Sequence, residues 1–123
     1  MAKVMIVDDS LFMQKHITRL LTQNGYDTIV AEDGEQAVCY YRQDRPDIVV
    51  MDIMMPHKDG LQALSEIRQI DPQARVIMLT ALDQEIAATR AIHLGARDFL
   101  VKPASPERLL NALRRTLHAS VCA

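Results

Sequence analysis

The chain has no tryptophan and two cysteines, Cys39 and Cys122. They lie far apart with no CxxC spacing, which speaks against a disulfide framework and for a reduced compartment. The four histidines, His16, His57, His93 and His118, show no ligand spacing, so a zinc centre is not expected. An excess of one charge is also missing. Sixteen acidic against fourteen basic residues give a formal charge of −2, which offers no broad footprint for nucleic acid. No apolar run reaches bilayer-spanning length. The opening MAKVMIVDD is cut off by two aspartates before it reaches the length of a signal-peptide core. No Gly-rich phosphate loop follows the first apolar run, and GxxxxGK[ST] is absent. The expectation is a cytoplasmic protein with no membrane association and no direct nucleic-acid partner.

What remains is 123 residues, 49% hydrophobic and 24% charged, enough to bury a core as one folded domain. We assign the domain to residues 1–118 and a C-terminal tail to 119–123. Short apolar runs rich in β-branched residues recur at Val4 to Val7, Thr28 to Ala31, Ile48 to Met51, Val76 to Leu79 and Phe99 to Val101. They read as buried strands. Helical periodicity fills the intervals. Ser10 caps a helix carrying Met13, Ile17, Leu20 and Leu21 that stops at Asn24-Gly25. Asp33 with Gln36 makes a capping box ahead of Ala37 to Tyr41. Asp59 caps a third helix with Leu61, Leu64 and Ile67, closed by Asp71-Pro72, and Asp83 a fourth ending at Leu94-Gly95. Ser105-Pro106 is a strong start signal for the fifth, whose stripe is Leu109, Leu110, Leu113 and Leu117. Strands alternating with single helices imply parallel pairing through right-handed crossovers, hence a doubly wound α/β domain of five units.

In such sheets ligands bind beyond the carboxyl ends of the strands. The residues there are Asp8 and Asp9 after the first strand, Asp52 after the third, Thr80 after the fourth and Lys102 after the fifth. Three close carboxylates repel one another and retain protons unless a cation shares the site. Mg²⁺, which takes oxygen ligands and keeps several waters, suits them. A phosphoryl group transferred to a carboxylate then explains the rest, because its oxygens need compensating partners. Lys102 can pair with one and Thr80 can donate to another. Asp52 is the expected nucleophile, forming an acyl phosphate. Met51 and Met55 are expected as core filler, and Met54 as a neighbour of the site.

The stretches VMIVDDS, DIVVMDIMMPHKDG, VIMLTA and GARDFLVKP appear in an order and spacing that resembles response-regulator receiver domains, over residues 3 to 117. The resemblance implies a flavodoxin-like five-stranded parallel sheet of order 2-1-3-4-5 with five helices. It also implies phosphorylation of Asp52 by a histidine kinase or phosphotransfer protein, and Mg²⁺ held by Asp8, Asp9, Asp52 and the Met54 carbonyl. Thr80 and Lys102 would contact the phosphoryl group, and a cis peptide would join Lys102 to Pro103. The domain would be a phosphorylation-dependent switch and not an enzyme in its own right, with only slow self-phosphorylation and self-dephosphorylation. In the implied switch Thr80 moves inward and the aromatic at 99 follows. Output to a downstream protein target would use the fourth helix, fifth strand and fifth helix, as a monomer or a phosphorylation-linked dimer. Position 99 is Phe where chemotaxis members typically carry Tyr, so a readout through a tyrosine hydroxyl is not open to this chain.

Other readings remain at this point. A receiver excised from a longer regulator with an output domain has the same pattern. A Mg²⁺ hydrolase with an aspartate nucleophile, of the haloacid dehalogenase type, expects DxD after its first strand, where this chain has Asp8-Asp9-Ser10. A receiver acting without phosphorylation would not need the full acid set.

Overall fold

The computed structural model describes residues 2–81 and 85–118. Five strands and five helices alternate: β1 (Lys3–Val7), α1 (Leu11–Gln23), β2 (Asp27–Ala31), α2 (Gly34–Asp44), β3 (Ile48–Asp52), α3 (Gly60–Ile70), β4 (Val76–Thr80), α4 (Glu85–His93), β5 (Asp98–Val101) and α5 (Pro106–His118). The strands form one parallel sheet of order β2-β1-β3-β4-β5. Chain order and sheet order part company at β1, so the connection from β2 to β3 crosses to the other face.

Alternation along each strand feeds two cores. Met5, Val7, Val49, Met51, Val76 and Met78 pack with Ala37, Tyr41, Leu64, Ile67 and Ala91 on the face of α2, α3 and α4. Val4, Ile6, Ile48, Val50, Ile77 and Leu79 pack with Ile17, Leu21, Leu109 and Leu113 under α1 and α5. Both faces being covered, β3 and β4 are buried at every position, as the continuous apolar runs require.

The helix ends follow the capping chemistry. Ser10 Oγ accepts from the Met13 amide at 3.3 Å, Asp33 Oδ1 from Gln36 at 2.8 Å, Asp59 Oδ1 from Gln62 at 2.9 Å and Ser105 Oγ from Arg108 at 3.2 Å. The reciprocal arm of the second cap differs from the expected box: Gln36 Oε1 accepts from Glu32 at 2.9 Å, one residue before the cap. Asp83 lies outside the described residues, as does Cys122. On α5 the buried stripe is Leu109, Ala112, Leu113 and Thr116, while Leu110 and Leu117 are only partly covered at its margin. Among the described residues no helix is long and apolar enough to cross a membrane.

Candidate functional site

The register brings the carboxyl ends of the strands level. Val7 pairs with Met51, Asp52 with Leu79 and Thr80 with Val101. The ladder runs on past the strands, with the Asp8 amide donating to the Ala31 carbonyl at 3.2 Å and Lys102 to Thr80 at 2.7 Å. Position along each strand thus determines which side chains meet, and the five residues expected from the sequence all emerge at this edge.

Asp8 and Asp52 are sunk into it, 1% and 8% exposed, while Asp9 stands in solvent. Carboxylate oxygens of all three lie within 4.8 Å of one another. Lys102 Nζ lies 2.8 Å from Asp52 Oδ2 and 3.3 Å from Asp8 Oδ2, spanning the two buried acids. The second oxygen of Asp8 accepts from the Ser10 amide at 2.8 Å. Asp52 Oδ1 receives a long contact from the Met54 amide at 3.4 Å, which keeps the start of the β3–α3 loop against the carboxylate. The Met54 side chain itself is 63% exposed at the rim. Thr80 is buried, its hydroxyl donating to the Ala81 carbonyl at 3.2 Å. Phe99 is 39% exposed on β5. Lys102-Pro103 is cis.

Burial pushes the Asp52 carboxyl above its ordinary range; the hydrogen bond and charge of Lys102 oppose the rise without cancelling it, and Asp8 adds to it. Burial works against the Lys102 ammonium too. There the hydrogen bond to Asp52 and the charges of Asp52 and Asp8 outweigh it, leaving Lys102 above its ordinary value. The two directions are compatible, because burial chiefly holds the proton on Asp52 while the neighbouring carboxylates hold one on Lys102. A hard cation on the same oxygens would relieve both. The donor set, among the described residues three carboxylates and no nitrogen or sulfur ligand, fits a divalent ion such as Mg²⁺.

Gln14 was not singled out from the sequence. It lies buried on the inner face of α1 and donates from Nε2 to the Asp8 carbonyl at 2.7 Å, fixing the chain where two acids are consecutive. Its only sequence signal is an amide side chain between Met13 and Ile17, where the stripe calls for an apolar residue.

The chain matches the family described as response regulator receiver domain over residues 4–114. It belongs to that family. A chemotaxis protein CheY of Bacillus subtilis is 47% identical over 117 residues, 94% of this chain and 98% of the relative. A response regulator receiver domain protein of Clostridium thermocellum superposes with a TM-score of 0.95 at 27% identity, covering 99% of this chain and 98% of its own. A receiver of Borrelia burgdorferi, solved as a CheX-CheY-BeF3-Mg complex, has a TM-score of 0.86 at 39% identity, covering 99% and 90%. The flavodoxin-like fold and the strand order are those of the receiver domain. As a receiver, the chain is a phosphoryl-accepting signalling domain of two-component systems, regulatory in character.

Proposed function

We propose that Asp52 is the phosphoacceptor of a CheY-like switch, and that Asp8, Asp9, Asp52 and the Met54 carbonyl hold Mg²⁺ beside it. The observation that carries this reading is the ammonium of Lys102 poised between Asp52 and Asp8 at 2.8 and 3.3 Å. An Asp52 carboxylate oxygen attacks the phosphorus of a phosphohistidine on a kinase or phosphotransfer protein. The P–N bond breaks and the imidazole leaves with its electron pair, taking up a proton. When bound, Mg²⁺ neutralises charge on the phosphoryl oxygens. Lys102 moves from its carboxylates to one of those oxygens, and Thr80 turns its hydroxyl from Ala81 to another. Withdrawal of Thr80 opens space that Phe99 fills, changing the surface of α4, β5 and α5 for a downstream protein target in the cytoplasm. The chain acts there as a monomer or as a phosphorylation-linked dimer.

The test is incubation with Mg²⁺ and acetyl phosphate, followed by intact mass, and repetition with Asp52→Asn. A Mg²⁺-dependent phosphoryl adduct is expected on the parent alone. Absence of the adduct, or its survival in Asp52→Asn, sinks the assignment.

A further inference from the structure

The β3–α3 loop, residues 53–59, carries Met54 past Asp52 and is held from both ends and from outside. At its base the Gly60 amide donates to the Ile53 carbonyl at 2.8 Å. A Cβ on Gly60 would lie 2.2 Å from the Asp52 carbonyl oxygen, so the chain closes there on the acceptor residue itself. At its crown the hold comes from α2. The Gly34 amide donates to the Lys58 carbonyl at 3.1 Å. A Cβ on Gly34 would lie 2.3 Å from that oxygen and 3.0 Å from the carbonyl carbon, backbone atoms that can yield only if the loop moves. The Lys58 ammonium reaches the other way, to Glu66 Oε2 on α3 at 2.5 Å. Between crown and site, His57 is held at φ 66°, a left-handed conformation that costs a side-chain-bearing residue energy and persists only where its surroundings impose it.

Gly34 and Lys58 stand outside the carboxylate cluster, and nothing in the phosphoryl chemistry uses them. Their joint effect is on the path of the chain between Asp52 and α3. We propose that Gly34 and Lys58 are positioning residues: α2 and α3 clamp the crown of the β3–α3 loop, and this clamp sets the place of the Met54 backbone beside Asp52. The inference rests on the phosphoacceptor reading above, and concerns how well the site is formed and not which residue accepts.

The experiment compares the full chain with Gly34→Ala, Lys58→Met, Lys58→Arg and Ile67→Val. The last lowers stability from the α3 core at a residue outside both the loop and its crown contacts. Three measurements are made: the Mg²⁺ concentration giving half the maximal acetyl phosphate rate, the Mg²⁺-dependent rise in unfolding temperature, and amide exchange over residues 53–59. Gly34→Ala is expected to raise the half-saturating Mg²⁺ on the order of tenfold and to speed loop exchange, since a displacement near 1 Å costs a reacting centre up to about 100-fold. Lys58→Met should do the same by about threefold, in proportion to a lost ion pair with one half-exposed partner, and Lys58→Arg should restore it. Ile67→Val should leave the half-saturating Mg²⁺ at the parent value despite its lower unfolding temperature. If Gly34→Ala does not fold, the two Lys58 variants decide alone. Parent-like Mg²⁺ dependence and loop exchange in the folded variants overturn the clamp. If the parent takes no phosphoryl group, the phosphoacceptor reading fails, and the unfolding and exchange measurements still judge the clamp.

Discussion

Asp52 works against the fold that holds it. Its carboxyl is raised chiefly by burial, so between the ordinary carboxylate range and that raised value the native protein keeps a proton the unfolded chain has already lost. Stability therefore falls as pH climbs through that window. Asp52→Asn removes the slope: the variant should match the parent in acid and exceed it in denaturant midpoint at neutral pH, without Mg²⁺. An equal or lower midpoint at neutral pH would falsify the claim that ionised Asp52 is a cost. Lys102 has the opposite role. Its ammonium, raised by Asp52 and Asp8 against the pull of burial, adds stability that is complete below the ordinary lysine value and is lost as pH rises through its own. Lys102→Met leaves Asp8 and Asp52 facing each other. The Asp52 carboxyl, followed by carbon NMR in Mg²⁺-free protein, should then titrate at higher pH than in the parent. The phosphorylation rate should fall by about 100-fold, the loss typical when one charge-stabilising donor is removed. A titration at unchanged or lower pH counts against the pairing seen between these side chains.

At the scale of elements, apolar runs, helical periodicity and capping residues are together enough to place the strands and helices, because each carries its own reason: β3 and β4 are buried throughout since both faces are covered, and each described cap has its oxygen on the amide three residues on. On α5 the spacing of leucines gives a stripe too broad by two positions, Leu110 and Leu117. Leu109 and Leu113 point into the core, and the rest of the buried stripe is Ala112 and Thr116, small or polar residues that hydrophobicity alone does not flag. The distinction is measurable. Leu113→Ala should cost about 2–5 kcal/mol, the range for a leucine truncated in a closed core. Leu110→Ala, at a partly covered site, should cost well under half as much. Urea unfolding of both variants with a common slope decides it, and equal losses would mean that the broader stripe was right. The clamp on the β3–α3 loop had no such signature. The approach of Gly34 to the Lys58 carbonyl joins segments distant in sequence, and nothing in either segment announces the other. Gln14 is a different case: its partner, the Asp8 carbonyl, is six residues away, and the one trace it leaves in the sequence is the amide that interrupts the apolar stripe.

For the molecule as a whole, the site was legible because a parallel sheet sorts residues by position: whatever follows a strand arrives at one edge, so four short motifs sufficed to gather Asp8, Asp9, Asp52, Thr80 and Lys102. The same geometry concentrates negative charge on one rim of a domain whose formal charge is only −2, and the energetic consequence is global. A ligand that binds the native rim and not the unfolded chain stabilises the entire fold, by about 2.7 kcal/mol when its concentration is 100 times its dissociation constant. Mg²⁺ should accordingly raise the unfolding temperature of the parent, and more at neutral pH than in acid, where Asp52 already holds a proton. Asp9→Asn keeps the buried Lys102 pairs intact, because the exposed Asp9 takes no part in them, yet replaces one of the three carboxylates with a neutral amide. It should abolish most of the Mg²⁺-dependent rise while leaving the Mg²⁺-free unfolding temperature close to that of the parent. Glu107→Gln, an equal loss of charge on the first turn of α5, should leave the rise unchanged. If the two substitutions reduce it equally, Mg²⁺ is screening general negative charge, and the carboxylate cluster is not its site.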